Sequence, residues 1–556
     1  MSIKKSTTVA NYLAKYISKI GVKNIFMLSG TGSIYLDDAF ANQRGIKHIC
    51  ARHEAAAVLM AQASAKLNNK IGVVIATTGP GGTNAIGGVV ESWVDSIPVL
   101  VISGQVRQNQ IVNKARSFGI QGFDIISNVK NITKYSVQVS KPNEIRYHLE
   151  KAIYFANEGR KGPVWLDIPF DIQNSKIKED QLKKFFPNKK IKENIKTGTV
   201  NKIIKYINKS KKPIIVYGQG IRQSDSIDEF KKLISFLKIP CITARMGLDI
   251  LSYDEKYFFG LAGMRGHIFA QKIFKETDLI ICLGTSFAHS FAGEKFDQFN
   301  KFAKILMVNN DKVEMSKPEL KVDLKINSDL NYFLKLINKK LNNLSKIDHK
   351  AWLETCLKYK KKMKIVSEKM AKNPINSYYF IKSLSDLTKN DTIFVNDAGS
   401  ANYACSQALE LKKGQREITS GAFYSMGLTV PMAVGAGVSN PNKQIIAVTG
   451  DGSIELNIQE IRTMAINKLN IKLFVINNGG YASIRKSQDD MTGGRYTDDE
   501  EVLNFEKISS AFEVDFFKID KAENIKSKLQ EVLSNKRPAM IEVICDPEQK
   551  IIETFN

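Results

Sequence analysis

Hydrophobic and polar positions follow one recurring order along the chain. A short, solid apolar run comes first, then a glycine-rich break, then apolar residues at every third or fourth position. Gln444-Ile-Ile-Ala-Val-Thr449 is such a run, and its β-branched residues predict a buried strand. From Ile454 to Asn467 the residues Ile454, Ile458, Ile461 and Ala465 fall on one helical face. Ile471-Lys-Leu-Phe-Val-Ile476 is a second buried strand ending at Asn477-Asn478. The stretch is a β-α-β unit. Its two loops lie at the carboxyl ends of adjacent strands, where open α/β sheets bind ligands.

The same order appears twice more. Strands are predicted at Asn24–Leu28, Lys47–Cys50, Ile71–Thr77, Pro98–Ile102 and Pro163–Ile168. Helices fall at Thr8–Ile20 and at Arg52–Ala65, and Thr78–Asn84 reads as a turn-rich loop before another helix. Pro213–Tyr217, Asp278–Leu283 and Ile305–Val308 mark a second group of strands, and Thr392–Val395 opens a third. Lysine-rich Asn174–Gly198 and the charged, helical stretch Asn338–Asn373 read as linkers. The expected fold is α/β, with three doubly wound parallel-sheet domains over residues 1–175, 195–340 and 374–550. Gly218-Gln-Gly220 follows a strand; such a GxG is a tight βα turn more often than a nucleotide loop.

Composition narrows the function classes. Hydrophobic content of 43% and charged content of 25% over 556 residues are those of a soluble globular protein. No run reaches the length of a membrane span, and Met1–Thr8 lacks an apolar signal core, so a cytoplasmic chain without a membrane partner is expected. The six cysteines are scattered without a CxxC, which argues against a zinc site and a disulfide framework. The net charge of +25 comes from dispersed lysines, without aromatic-basic interleaving, so no nucleic-acid partner is expected.

The candidate chemistry sits in the β-α-β unit. Val448-Thr-Gly-Asp-Gly-Ser-Ile454 places Asp451 between Gly450 and Gly452, and Asn478 closes the next strand. A carboxylate and an amide oxygen on facing loops suit Mg²⁺, which usually shares its shell with phosphate oxygens. The helix start after Gly452 offers N–H groups to that phosphate. The residues therefore predict a magnesium-diphosphate site. Glu54 stands in the first turn of a small-residue helix, a position that a helix dipole alone would favour.

GDG followed by a helix and a strand ending in NN resembles the binding motif of thiamine diphosphate (ThDP) enzymes. That resemblance implies that Asp451, Asn478 and the carbonyl of Gly480 hold Mg²⁺, and that Gly450, Gly452 and Ser453 line the diphosphate. Arg52-His-Glu-Ala-Ala-Ala57 resembles the family's first-domain motif, in which a Glu reaches the aminopyrimidine ring. Glu54 would then favour the imino tautomer of the 4′-amine, which takes the proton from thiazolium C2. Met426 matches the bulky residue that props the cofactor into a V shape, and Gly399-Ser400 the second diphosphate loop.

From about Thr8 to Pro547 the chain resembles the acetolactate (acetohydroxyacid) synthase large subunit. Ala76-Thr-Thr-Gly-Pro-Gly-Gly-Thr-Asn84, Ser103-Gly-Gln-Val106 and Gly162-Pro-Val-Trp-Leu-Asp-Ile-Pro169 carry the match. The resemblance implies decarboxylation of a 2-oxo acid such as pyruvate and carboligation of the acyl unit to an acceptor carbonyl. Gln105 and the loop Gly79-Pro80-Gly81 would line the pocket beside C2. It also implies a homodimer or homotetramer with active sites between subunits, pairing Glu54 of one chain with Asp451 of another. Three departures are visible. The segment after Leu283-Gly284 matches the flavin-contacting stretch poorly, which weighs against FAD; Ser400-Ala401 replaces a Gln-His pair; and the synthase's C-terminal tail over the active site is not expected here. The stretch from Gly479 to Gln488 resembles carboligases of branched-sugar synthesis, so an activated keto-sugar acceptor is an alternative. So is a non-ligating decarboxylase or C–C lyase. A regulatory subunit is left open.

Overall fold

The structure is a computed structural model that describes residues 6–554 except 113–114, 188–194, 294–301, 319, 342–347 and 497–500. The leading residues 1–5 and parts of both lysine-rich stretches read as linkers lie outside the described residues. Among the described residues no helix is long and apolar enough to cross a membrane.

Three six-stranded sheets carry the fold, and every pairing within them is parallel. The first contains β1 (Asn24–Met27), β2 (Lys47–Cys50), β3 (Gly72–Ala76), β4 (Val99–Gln105), β5 (Ser136–Gln138) and β6 (Val164–Pro169). Its spatial order is β2-β1-β3-β4-β6-β5. The second contains β7 (Pro213–Tyr217), β8 (Cys241–Thr243), β9 (Phe258–Leu261), β10 (Leu279–Leu283), β11 (Lys304–Asn309) and β12 (Leu324–Asn327), in the order β9-β8-β7-β10-β11-β12. The third contains β13 (Ile393–Asn396), β14 (Arg416–Ile418), β15 (Ile445–Gly450), β16 (Ile471–Asn477), β17 (Asp515–Ile519) and β18 (Ala539–Ile544), in the order β14-β13-β15-β16-β18-β17. The central strands β3, β4, β7, β10 and β13 are buried along their whole length, as parallel strands covered on both faces must be.

Several helices matter for the site: α1 (Glu54–Asn68), α2 (Pro80–Val94), α3 (Lys350–Lys362), α4 (Gly399–Ala408), α5 (Thr429–Ser439), α6 (Asp451–Ile454) and α7 (Ala482–Met491). The first and third sheets are joined by α1 packing along α5. A Cβ on Gly435 would lie 2.2 Å from the Met60 carbonyl, so only glycine permits the approach. Ion pairs fasten the central unit to the third: Arg245 to Glu417 at 2.7 Å and Arg416 to Asp249 at 2.5 Å.

The structure corrects four readings of the sequence. Only Thr78 and Gly79 of the Thr78–Asn84 stretch are loop, because Pro80 starts α2 in the position where its missing N–H costs nothing. β4 runs on through Ser103, Gly104 and Gln105, held by parallel pairing to Asp167, Ile168 and Pro169. The helix after Gly450 begins at Asp451 and is broken by a 3₁₀ turn at Glu455–Asn457 before Glu460–Ile466. Helix α3, read as linker, belongs to the central unit: Trp352, Leu353 and Cys356 are buried, and Trp352 Nε1 donates to the Pro213 carbonyl at 3.1 Å.

Candidate active site

In the third sheet the chain leaves β13 towards β14 on one side and β15 towards β16 on the other. The crevice above such a reversal is where doubly wound sheets hold ligands. Asp451 begins α6 at the end of β15, and its carboxylate is almost fully buried. Oδ1 accepts the Gly452 N–H at 2.9 Å, and Oδ2 accepts the N–H groups of Asn478 and Gly480, each at 2.9 Å. Burial pushes this carboxyl above the usual range, while the three N–H groups and Arg485 act against that push. Oδ1, which accepts one of these bonds, keeps lone-pair capacity beyond it.

Asn478 Nδ2 donates to Ser400 Oγ at 3.1 Å, which leaves the amide oxygen as the ligand atom it can offer. The Gly480 carbonyl accepts Ala482 N–H at 3.1 Å. Arg485, on α7, donates to the Asn478 carbonyl at 2.8 Å and to that of Gly479, and so clamps the loop from behind. A Cβ on Gly452 would strike the Tyr481 ring at 2.7 Å, whereas one on Gly450 would meet nothing within 4 Å. The loop is closed on one side and open above Gly450. A hard cation with a diphosphate fits this donor set of a charged carboxylate, an amide oxygen and a carbonyl.

Ser400 lies in the first turn of α4, beside Gly399. Met426 is half-buried in the loop before α5 and precedes Gly427, whose N–H donates to Ser453 Oγ at 2.9 Å. The Ser453 hydroxyl in turn donates to Asp397 Oδ1 at 2.8 Å, so it faces the protein. Gly399, Ser400, Met426, Gly450, Asp451, Gly452, Ser453, Asn478 and Gly480 thus gather on neighbouring loops of one crevice.

The first sheet has its own reversal, between β1 and β3. Glu54 opens α1 and is 3% exposed. Asn84 Nδ2, on α2, donates to its Oε2 at 3.1 Å, and a Cβ on Gly81 would lie 3.3 Å from its Oε1. Gly79, with φ +60°, turns the chain into α2; a Cβ there would lie 2.1 Å from the Gln121 carbonyl. Glu54 and Gly79–Gly81 are therefore assembled together. Gln105 is not turned towards them. Its Nε2 donates to the Phe123 carbonyl at 2.8 Å and to Asp167 Oδ2 at 3.0 Å, and its Oε1 accepts the Val106 N–H at 3.0 Å.

Among the described residues no hydrogen bond or ion pair joins Glu54 to Asp451, Ser453 or Asn478. Within the chain Glu460 is one of the groups that link the two units. Its buried carboxylate accepts the Arg52 N–H at 2.7 Å and the Thr463 hydroxyl at 2.7 Å. A separate cleft of ≈ 850 Å³ opens above β7 and β10 of the central sheet, lined by Gly218, Gly220, Gly284 and Thr285 and walled by Arg160 and Glu314.

Sequence reasoning missed Asp397, Arg485, Glu460 and Asn84. Asp397 carried a signal, a carboxylate set directly after the apolar run of β13. The other three act through contacts that no local pattern announces.

Three family descriptions match the chain. Residues 7–126 match the thiamine pyrophosphate enzyme, N-terminal TPP binding domain; residues 200–337 the central domain; and residues 397–543 the C-terminal TPP binding domain. Glu54 falls in the first match and Asp451 and Asn478 in the last. The acetolactate synthase large subunit of Lactococcus lactis subsp. lactis is 30% identical over 99% of this chain and 95% of its own. That of Cyanidium caldarium is 30% identical over 98% and 94%, and the chloroplastic acetolactate synthase of Arabidopsis thaliana is 27% identical over 98% and 82%.

Proposed function

From the premise that this chain belongs to the thiamine pyrophosphate enzymes, we propose that it decarboxylates a 2-oxo acid, pyruvate first, and joins the acyl unit to an acceptor carbonyl. The observation that carries this reading is the convergence of Asp451, Asn478 and Ser400 on one crevice, in a chain similar over its whole length to acetolactate synthase large subunits.

When bound, thiamine diphosphate supplies a thiazolium ring that serves as the electron sink for loss of CO₂. Asp451, Asn478 and the Gly480 carbonyl would hold Mg²⁺, and Gly399, Ser400 and the loop Gly450–Ser453 would receive the diphosphate. A divalent cation would keep Asp451 ionised against the effect of its burial. Met426 would pack against the coenzyme from the loop before α5. Glu54 would share a proton with the pyrimidine ring nitrogen through Oε1, the oxygen whose approach Gly81 leaves clear, while Asn84 fixes Oε2. Gln105 would hold Phe123, and with it the Gln121 carbonyl against Gly79, with no atom on substrate. The reaction is redox-neutral, so no step requires the oxidation or reduction of a flavin.

Glu54 and Asp451 share no contact within the chain, and this supports a dimer or larger assembly in which each site takes one residue from each partner. Incubation of the purified protein with ThDP, Mg²⁺ and pyruvate should release CO₂ and acetolactate together. CO₂ with acetaldehyde in place of acetolactate would overturn the carboligase reading. CO₂ that appears in quantity only when an activated keto-sugar is added would move the acceptor to that class.

A further inference from the structure

We propose that Asp397 is a positioning residue that sets three cofactor-facing loops of the third unit against one another; the inference rests on the reading of that crevice as a ThDP site. Asp397 follows β13 directly and is fully buried. Its Oδ1 accepts the Ala398 N–H at 2.8 Å, which fixes the turn into Gly399-Ser400. The same oxygen accepts the Ser453 hydroxyl at 2.8 Å, just past the GDG turn. Oδ2 accepts the Thr449 hydroxyl at 2.5 Å, at the end of β15, two residues ahead of Asp451.

Ser453 extends the reach of this carboxylate to the third loop. Its oxygen accepts the Gly427 N–H at 2.9 Å while its proton goes to Asp397. Asn457 Nδ2 holds the Gly427 carbonyl at 2.9 Å from the other side. The loops carrying Ser400, Met426 and Asp451 therefore hang on one buried carboxylate through short, directed bonds, and none of those bonds points at the coenzyme space. A carboxylate that merely closed a strand end would need only the Ala398 and Thr449 contacts. The Ser453 relay, which crosses to a different connection of the sheet, is what a positioning role requires. In this relay the Ser453 proton goes to Oδ1 while its oxygen accepts the Gly427 N–H, so the observed arrangement uses Oδ1 as an acceptor.

Asp397→Asn keeps the shape and removes one acceptor. Calorimetric titration with ThDP in Mg²⁺ should show Kd raised about tenfold or more, the scale of one lost charged hydrogen bond. Trp352→Ala, remote and destabilising, serves as the control and should leave Kd within about twofold of the parent while lowering Tm. If Asp397→Asn does not fold, Ser453→Ala and Thr449→Val each remove one donor, and each should raise Kd about threefold or more. Kd within about twofold of the parent in the folded Asp397 variant, or in both substitute variants, overturns the proposal while leaving the functional reading intact. A parent protein that takes up no ThDP overturns both.

Discussion

The first sheet, in the order β2-β1-β3-β4-β6-β5, repeats the path taken by the third, in the order β14-β13-β15-β16-β18-β17, yet the two crevices are furnished differently. In the third, the working carboxylate of Asp451 is bound by three backbone N–H groups, and its loops are clamped from behind by Arg485 and Asp397. In the first, Glu54 has one side-chain partner, Asn84, and a glycine beside its other oxygen. A crevice that must hold charge in a fixed place benefits from preorganised dipoles. A group that must share a proton benefits from an oxygen left free. Under the proposed function, the same topology would support a binding half and a proton-handling half.

The sharpest way to break this division is to remove each carboxylate and ask which quantity moves. Glu54→Gln should lower turnover by roughly 100- to 10,000-fold, the range of a lost acid-base group, with the Kd for ThDP and Mg²⁺ little changed. Steady-state rates set beside calorimetry decide it, and a Kd that moves with the rate would place Glu54 in the binding half. Asp451→Ala should do the reverse, raising Kd about 100-fold by orphaning two N–H donors of the NNGG loop and deleting a cation ligand. Activity regained at saturating coenzyme would be expected; a variant that binds normally would remove Asp451 from the cation site. Mixing the two variants, unfolded and refolded together, should restore turnover if each site draws on two chains, and silence of the mixture would favour a site within one chain.

How much of this was legible beforehand follows from the kind of interaction. Solid β-branched runs such as Pro213–Tyr217 and Ile471–Asn477 announced the buried strands, because burial on both faces leaves no polar register to hide them. The edge strands Ser136–Gln138 and Asp515–Ile519 are half-exposed and short, so periodicity carried little signal there. Asp451 and Asn478 were readable because the chain holds them at the ends of adjacent strands. Glu460 and Arg485 were not, since their partners at Arg52 and Asn478 are set by how the helices dock. Gln105 was read as facing the pocket; two of its three hydrogen bonds go to Asp167 and Phe123, residues that neighbour it only after the sheet forms.

A smaller effect should come from the turn that builds the proton-handling half. Gly79→Ala must hold a positive φ with its Cβ against the Gln121 carbonyl, a strain of about 1–3 kcal/mol before any clash. The expected result is about tenfold lower turnover, since Pro80 and Gly81 shift beside Glu54, with diphosphate affinity unchanged. Competition by free inorganic diphosphate against ThDP separates the two, because it reads the third crevice alone.

The smallest effect concerns Asp167, on β6 of the first sheet. Burial pushes its carboxyl up to about 6, against bonds from Ser103, Gln138 and Gln105 that pull the other way. A folded value above the unfolded one means that the native state holds a proton the unfolded chain has released. Stability from this group is therefore full below the unfolded value near 3.8 and is lost as pH rises through about 6. Between pH 4 and pH 7 that loss amounts to about 2 kcal/mol. Asp167→Asn accepts from the two glutamines through its amide oxygen and cannot titrate, so urea unfolding across this range should show a slope shallower by that amount. An unaltered slope would mean that Asp167 is ionised in the folded protein, with a bound cation or water in place of the proton, and the first crevice would then be more charged than its hydrogen bonds imply.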